Sequence, residues 1–383
     1  MFHVTVATIT TPPDGSLDDE AQRLVQLVQA LYGTELAIVA GDRALTERPT
    51  QHTIALGCLA DNPFVEALYQ RYTILVDRWY PGTGGSVVQT LTAPFRFGEH
   101  VLLLGGSDVE GVRRATRRFV EQLESSPDGV VAWQLHVELG DAHLPLPEDR
   151  LDHLGGAASP VLIPESVTPA TPYSSGFTGG SARDHLLRLG MYGPHADNLH
   201  LSRSSQLGLR YLYTGRLEDA AEYRRALLEE VQSGVVAKLY HYKSVRMLQL
   251  WPQLSGCPVF DDDERGEITR AIRTYLLEES GIANTDLIRE ASAESGIFSR
   301  HIACEALNLW AGADWLWRLT EDSRWLDDRR VADDFFESQA GTDVPLTGLT
   351  EGYASYLDIF LEWMLLSCPD RIAEDPHIRL CAE

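Results

Sequence analysis

The spacing of hydrophobic residues changes once along this chain. Up to about residue 140, short β-branched runs such as HVTVATIT and HTIALGCL alternate with amphipathic segments such as LDDEAQRLVQLVQALYG and DVEGVRRATRRFVEQLE. From about residue 182 onward, nearly every segment has helical spacing. Alternating strands and helices predict a largely parallel sheet covered by helices, whereas helical segments separated by Gly or Pro predict antiparallel helix pairs.

The fold class predicted from this pattern is a small N-terminal α/β domain followed by an all-α array of helical hairpins. The α/β domain covers residues 1–140 and the helical array covers residues 182–383. Residues 141–181 are rich in Pro, Gly, Ser and Thr, which sustain neither period, and they are interpreted as a linker. No heptad repeat persists, so the helical region is not predicted to be a coiled coil.

Charge and composition exclude several classes of partner. The 383 residues carry a formal net charge of -24 without a clustered basic tract, which argues against nucleic acid and anionic membranes. The five cysteines have no CxxC spacing and are expected to be buried thiols in a reducing compartment. The N-terminus MFHVTVATIT lacks the basic region of a signal peptide, so the sequence as it stands predicts a soluble, cytoplasmic protein.

A glycine-rich turn between a strand and a helix, LLLGGSDVEGVRR, has the layout of an anion-binding loop. Its glycines, Gly105, Gly106 and Gly111, do not have GxGxxG spacing, and the Lys-Ser/Thr pair of a P-loop is missing. The segment therefore predicts a structural turn in which Ser107 or Asp108 caps the helix, with an anion site as the alternative.

The segment SRHIACEALNLWAG carries a polar stripe on a predicted helix. His301, Glu305 and Asn308 stand at i, i+4 and i+7, which places them on one face. A base, an acid and an amide in this arrangement could form the wall of a cleft. The other interpretation is a half-exposed helix on which His301 and Glu305 pair at the surface.

Three further segments contain candidate functional residues. In KLYHYKSVRMLQLW, the aromatic and cationic side chains are suited to stacking on a sugar or pairing with a carboxylate. In LTEGYASYLDIFLEWML, Glu351, Tyr353 and Tyr356 lie near a predicted helix start, where tyrosines are either catalytic or part of a core edge. In YGPHADNLHLSRSSQ, the His-x-Asp-x-x-His spacing has no accompanying carboxylate-rich motif, so neither a metal nor another cofactor is predicted.

Two of these segments resemble a known group of enzymes. FSRHIACEALNLWAG resembles the Asn-His helix of heparinase II/III-like and alginate-lyase-like polysaccharide lyases, and LTEGYASYLDIFLEWML is similar to their Glu-x-Ser-x-x-Tyr-His helix. The resemblance implies an incomplete (α/α) toroid. The segment GEHVLLLGGSDVEGVRRATRRFVEQL resembles the small accessory α/β domain of carbohydrate-active enzymes such as α-glucuronidases and hexosaminidases.

The chemistry implied by the resemblance is β-elimination at a uronic acid within a polysaccharide. One group neutralises the carboxylate, a base removes the C5 proton, and an acid protonates the O4 leaving group. By position, His301 matches the motif histidine, and Tyr353 or Tyr356 matches the tyrosine that serves as base and acid. Arg300 stands where the motif has asparagine, and its guanidinium could pair with the carboxylate. The substrate-binding candidates are Tyr240, His241, Lys243, Arg246, Glu305, Asn308 and Glu351.

Other functions stay open. The helical region has room for about eight or nine helices, fewer than a full toroid of six hairpins needs, so a fragment or a shortened relative of a lyase is expected. A glycoside hydrolase would use two carboxylates, for which Glu305 and Glu351 are the candidates. A noncatalytic glycan-binding or scaffold protein is the third interpretation. An anionic polysaccharide also requires a local basic cleft, with Arg203, Arg210, Lys238, Lys243, Arg246 and Arg300 as candidates.

Overall fold

The fold consists of an N-terminal α/β part with a mixed sheet and a C-terminal part that is mostly helical. The computed structural model describes residues 1–47, 52–141, 201–293, 300–340 and 351–371. The predicted linker therefore lies outside the described residues, except for its first residue, Asp141.

The strands are β1 (Phe2–His3), β2 (Ala7–Thr11), β3 (Ile38–Ala40), β4 (His52–Gly57), β5 (Ser86–Leu91), β6 (Val101–Gly106), β7 (Val130–Val131) and β8 (Leu135–Glu138). The N-terminal helices are α1 (Asp18–Tyr32), α2 (Gly41–Glu47), α3 (Pro63–Gln70) and α4 (Val109–Glu124). The C-terminal helices are α5 (Arg203–Thr214), α6 (Leu217–Gln232), α7 (His241–Leu254), α8 (Asp262–Glu278), α9 (Thr285–Ala293), α10 (Arg300–Thr320), α11 (Arg324–Ala340) and α12 (Glu351–Ser367). Short 3-10 turns lie at Val4–Val6, Val236–Lys238 and Gly281–Asn284.

The main sheet has six strands in the order β3-β2-β4-β6-β5-β8. The first four are parallel to one another, as the alternation of strands and helices predicts. β5 runs antiparallel to both β6 and β8, which makes the sheet mixed. This reversal occurs because residues 92–100 connect β5 to β6 without a crossover helix.

The two faces of the sheet pack against different parts of the chain. Side chains alternate between faces along a strand, so Ile54 and Leu56 of β4 face one way and Ala55 faces the other. The first face packs against α1 and α4 through residues such as Leu24 and Phe119. The second face belongs to a hydrophobic core that continues into the C-terminal helices, with Leu207, Tyr211, Leu250 and Trp251 among its members.

Polar contacts reinforce this shared core. The hydroxyl of Tyr80 donates to the carbonyl oxygens of Leu212 and Tyr213, at 3.2 and 2.7 Å. The indole of Trp133 donates to the carbonyl oxygen of Gln253 at 2.9 Å. These bonds connect loops of the α/β part to α5 and α7, so backbone carbonyls and buried aromatic groups at the junction are satisfied.

The glycine-rich turn before α4 is a structural turn, and Asp108 is its cap. The Asp108 carboxylate accepts from the backbone N–H of Gly111 at 2.8 Å and from that of Gly84 at 2.9 Å. A Cβ atom on Gly111 would lie 2.1 Å from the carbonyl oxygen of Gly85. The prediction of a capped turn is confirmed, because the side chain of Asp108 and the backbone at Gly85 occupy the positions that an anion would need.

Helix α10 is central to the C-terminal part. It packs against α7, α9, α11 and α12 and against the turn Gly281–Asn284. Its sequence explains this position, because apolar residues such as Cys304, Leu307, Trp310 and Leu316 lie on several sides of the helix and are all buried. Within the described ranges, no helix has the length and apolar character needed to cross a membrane.

Two histidines accept backbone hydrogen bonds where β4 and β6 begin. The Nδ1 atom of His52 accepts from the N–H of His100, and the Nδ1 atom of His100 accepts from the N–H of Ala93, both at 3.2 Å. An imidazole can accept through Nδ1 only when that nitrogen is unprotonated. Burial lowers the pKa of both histidines, and with the nearby His52 it lowers the pKa of His100 to about 4.

We expect acid to destabilise the protein through His100. The unfolded chain binds a proton at the ordinary His value of 6.5, whereas the folded chain does so only near pH 4, so stability is lost as the pH falls between these values. The free energy of unfolding should fall by about 3 kcal/mol over this range. His100→Asn keeps an acceptor but cannot be protonated, so urea unfolding of this variant should depend less on pH. His136→Asn, at a partly exposed histidine on β8, is the control, and equal pH dependence in both variants would refute this account.

Candidate active site

The polar stripe of α10 converges on one histidine of α7. The Nδ1 atom of His301 lies 2.9 Å from Nε2 of His241, and Oε1 of Glu305 lies 3.2 Å from Nδ1 of His241. The side-chain amide of Asn308 donates to the carbonyl oxygen of His241 at 3.1 Å. The sequence predicted that the three α10 residues share a face, and the structure brings all three into contact with His241, which is about sixty residues earlier.

Glu305 is a buried carboxylate held by several donors. Its Oε2 atom accepts from the hydroxyl of Ser280 at 2.7 Å, the backbone N–H of Gly281 at 2.8 Å and the amide of Asn284 at 3.0 Å. Burial by itself would raise the pKa of Glu305, but the hydrogen bonds from His241 and from these three groups outweigh it and lower the pKa. Glu305 is therefore ionised at neutral pH.

The turn that holds Glu305 depends on a glycine. Gly281 has φ of 58°, in the left-handed region that side chains rarely adopt, and a Cβ atom on it would lie 3.1 Å from the backbone of Asn308. The segment SGIAN therefore makes its turn tightly against α10 and directs a backbone N–H at Glu305. Sequence reasoning did not identify Ser280, Gly281 or Asn284, although a Ser-Gly pair directly after a helix indicates a tight turn.

The hydrogen bonds determine where the protons lie when both histidines are neutral. Ionised Glu305 only accepts, so Nδ1 of His241 must carry a proton and donate to it. Nε2 of neutral His241 is then an acceptor, which requires Nδ1 of His301 to donate. Neutral His301 consequently has a lone pair on Nε2. The arrangement Glu305–His241–His301 is therefore that of an oriented general base.

Aromatic side chains surround the two imidazoles. The hydroxyl oxygen of Tyr240 lies 3.4 Å from Nδ1 of His301, and the Tyr240 and His241 rings have centroids 4.3 Å apart. The Tyr242 ring lies 4.9 Å from that of His241. His301 and Tyr240 are both exposed. Hence an outside molecule can reach the end of the histidine chain, beside a phenol suited to a sugar ring.

His241 is one of the residues that line a cleft of about 430 Å³. Its polar wall is the pair of Arg246 and Glu362, joined by two hydrogen bonds of 2.9 and 3.1 Å. The guanidinium of Arg246 also lies 4.7 Å from the ring centroid of Tyr72, which comes from the α/β part. The remaining lining residues are Tyr242, Val245, Cys304, Leu307, Ile359, Leu361 and Leu365.

Tyr72 has an uncommon backbone conformation for a bulky residue. Its φ is 56°, and its carbonyl oxygen accepts from the side-chain amide of Gln253 at 2.8 Å. A non-glycine residue in this region costs free energy and persists only where its surroundings enforce it, which is common at functional sites. Sequence reasoning did not identify Tyr72, because its position in the cleft depends on contacts between the two parts of the chain.

The other predicted site residues lie elsewhere or outside the described side chains. Lys243 is half-buried on α7 and is not among the residues lining the cleft. Arg300 begins α10, and Glu351, Tyr353 and Tyr356 lie in the first two turns of α12, but the described part of the structure does not include their side chains. The histidine cluster at residues 195–200 also lies outside it.

Besides Arg246, which is paired with Glu362, two more of the predicted basic residues are already paired with carboxylates. Arg203 contacts Glu229 at 3.4 Å, and Arg210 contacts Asp219 and Glu222. A local basic cleft therefore does not include Arg203 and Arg210 as unpaired charges. Across the described ranges, no three His, Cys, Asp or Glu side chains are grouped so as to hold a metal ion.

The chain matches no protein-family model, no curated protein and no solved structure. The fold and the site together define an α/β and α-helical protein with a carboxylate–histidine–histidine chain at the edge of a cleft.

We expect Glu305→Ala to destabilise the protein strongly. The substitution leaves the donors of Ser280, Gly281 and Asn284 without their acceptor in the interior, which should cost about 2–4 kcal/mol of unfolding free energy. Urea denaturation followed by circular dichroism measures the change. Glu278→Ala, at an exposed carboxylate of α8, is the control and should alter stability by less than about 0.5 kcal/mol. Equal stability of the two variants would contradict the anchoring role of Glu305.

Proposed function

We propose that this chain is a carbohydrate-active enzyme of the polysaccharide lyase type, acting by β-elimination at a uronic acid. The observation that carries the proposal is the chain from Glu305 through His241 to His301, which orients the imidazole of an exposed histidine. Elimination requires a base, because the C5 proton must be removed from carbon. The resemblance of the α10 and α12 segments to lyase motifs supplies the substrate class.

The proposed reaction begins at Nε2 of His301. This nitrogen takes the C5 proton, and the electron pair of the C5–H bond forms the C4–C5 double bond as the C4–O4 bond breaks. The resulting imidazolium is stabilised through His241 by the charge of Glu305, as in a catalytic triad. O4 leaves with a proton from a tyrosine, which the resemblance assigns to Tyr353 or Tyr356.

The carboxylate of the substrate needs a cation to make the C5 proton acidic. Arg246 lines the same cleft as His241, and its planar guanidinium suits a carboxylate in two-point contact. Arg300, next to His301 in the sequence, is the candidate that the motif indicates. The proposal therefore places the uronic acid ring between His301 and Arg246, against Tyr72 and Tyr242.

The same geometry disfavours a glycoside hydrolase based on Glu305. A hydrolase needs one carboxylic acid that donates a proton and so has a raised pKa. Glu305 has the opposite property, because its hydrogen bonds lower its pKa and occupy both oxygens. The architecture that we propose is the incomplete (α/α) toroid, supported by the packed helix pairs α5–α6 and α10–α11 and by the cleft beside α7, α10 and α12.

The proposal predicts elimination with a panel of uronic-acid polysaccharides. The unsaturated product absorbs in the ultraviolet, and its rate of formation gives kcat and KM. His301→Ala should lower kcat by about 10²–10⁴-fold, because the base is lost. Glu305→Gln should lower kcat by about 100-fold or more with little change in KM, because Glu305 acts through the histidines and does not bind substrate. Glu305→Asp should restore part of this rate.

His136→Ala is the matched control, because this histidine lies on β8 in contact with Glu138 and takes no part in the cleft. It should keep the full rate. An unmodified protein that forms no unsaturated product from any polysaccharide of the panel would refute the lyase assignment. Full activity of His301→Ala would refute the role of His301 while leaving the reaction type intact.

The net charge of -24 predicts an unusual dependence on salt. An anionic polysaccharide is repelled by this protein at long range, and added salt screens that repulsion. We therefore expect KM for a polyuronate to fall as sodium chloride rises from about 0.02 M to about 0.2 M, where the Debye length shortens to below about 10 Å. A KM that rises steeply over this range would instead indicate a dominant basic binding surface.

A further inference from the structure

A second arginine-rich site lies where the α/β part meets the C-terminal helices. Asp314 of α10 contacts three guanidinium groups: Arg71 at 2.7 Å, Arg318 at 2.8 Å and Arg329 at 3.1 Å. Arg71 follows α3, whereas Arg318 and Arg329 belong to α10 and α11. Three separate regions of the chain therefore meet at one carboxylate.

Among the residues that the structure describes, the charges at this junction do not balance. The Asp314 side chain is 4% exposed, and those of Arg71 and Arg318 are 17% and 12% exposed. Burial would raise the pKa of Asp314, but the three arginines outweigh it and lower the pKa to about 2, so the carboxylate supplies one full negative charge. Three guanidinium groups around one carboxylate leave an excess of two positive charges in a poorly solvated place.

The next carboxylate does not remove this excess. Asp333 is near enough to Arg329 to interact with its charge, but its Oδ1 atom accepts from the indoles of Trp310 and Trp363, both at 2.9 Å. Even if Asp333 is counted as fully ionised, one positive charge is left over. The carbonyl oxygens of Leu366 and Ala93 accept from Arg71 and Arg318 but carry no net charge.

A cavity of about 30 Å³ lies beside these arginines. Arg71 and Arg318 both line it, together with Asp314 and the hydroxyl-bearing residues Thr73 and Thr92. A space of this size holds a water molecule or one small ion and is too small for a sugar ring. Hence the cavity and the uncompensated charge coincide.

We propose that this cavity binds one small monovalent anion, either a halide ion or the carboxylate group of a small acid. The anion neutralises part of the charge on Arg71 and Arg318 and thereby fastens the turn after α3 to α10. This site is separate from the histidine chain, and its existence does not rest on the lyase function. In a chain with a net charge of -24, it is a place where an anion is attracted by unbalanced buried cations.

The test measures anion binding directly. Crystals of the full chain soaked in sodium bromide should give an anomalous peak in contact with the guanidinium groups of Arg71 and Arg318. In solution, the melting temperature should rise saturably with bromide or chloride at constant ionic strength, which a bulky organic sulfonate maintains. Sodium acetate in place of halide distinguishes the two sources, because a rise with acetate alone identifies a carboxylate as the occupant.

Matched variants separate this site from general effects of salt. Arg71→Gln should weaken the apparent affinity for bromide by about tenfold or more, because it removes a charged donor. Arg224→Gln is the control, because it breaks a different arginine–carboxylate pair, that of Arg224 with Glu264. This variant should bind bromide with the affinity of the unmodified protein. If Arg71→Gln does not fold, Arg329→Gln replaces it: Arg329 is the most exposed of the three arginines and does not line the cavity, so its removal should weaken bromide binding only by lowering the excess positive charge. An unmodified protein with no anomalous peak, and with the same response to every anion as Arg71→Gln, would overturn the proposal.

Discussion

The second face of the six-stranded sheet must be covered by apolar groups from elsewhere in the chain, and the C-terminal helices provide them. Ala55 and Leu103 on this face share a hydrophobic core with Tyr211 and Trp251. Because protein interiors are close-packed, this shared core fixes α5 and α7 relative to the sheet. The turn after α3 then reaches the helical part at a defined place. As a result, the α/β part contributes Tyr72 to the cleft and a guanidinium to Asp314.

The burial of Glu305 determines which nitrogens of His241 and His301 carry protons. A buried charge is tolerated only when it is fully hydrogen-bonded, and Glu305 meets this requirement with donors from a 3-10 turn and from His241. When Glu305 is ionised and both imidazoles are neutral, Nδ1 of His241 must donate to Glu305. Nε2 of His241 then accepts from Nδ1 of His301. The chemistry assigned to His301 is therefore a consequence of packing around the Gly281 turn, more than ten residues earlier in the chain.

Local sequence patterns predicted the type and order of most elements and the common face of His301, Glu305 and Asn308, because both depend on periods within one segment. They did not predict β8, an edge strand of four residues, or the contact between His241 and the α10 stripe. The Arg71–Asp314 pair joins positions 243 residues apart. Such contacts depend on how elements pack, and a hydrophobic period specifies only which face of an element is buried.

The acidic substrate of the proposed reaction would meet an arginine that is already paired. At the cleft, Arg246 is paired with Glu362, and the amide of Gln249 donates to the same carboxylate at 2.9 Å. Under the proposed function, a substrate carboxylate that binds Arg246 would exchange one carboxylate partner for another, so the guanidinium would not be left unpaired. Glu362 would keep the hydrogen bond from Gln249 in that exchange. Binding of the proposed substrate would then be opposed mainly by long-range repulsion, which salt screens.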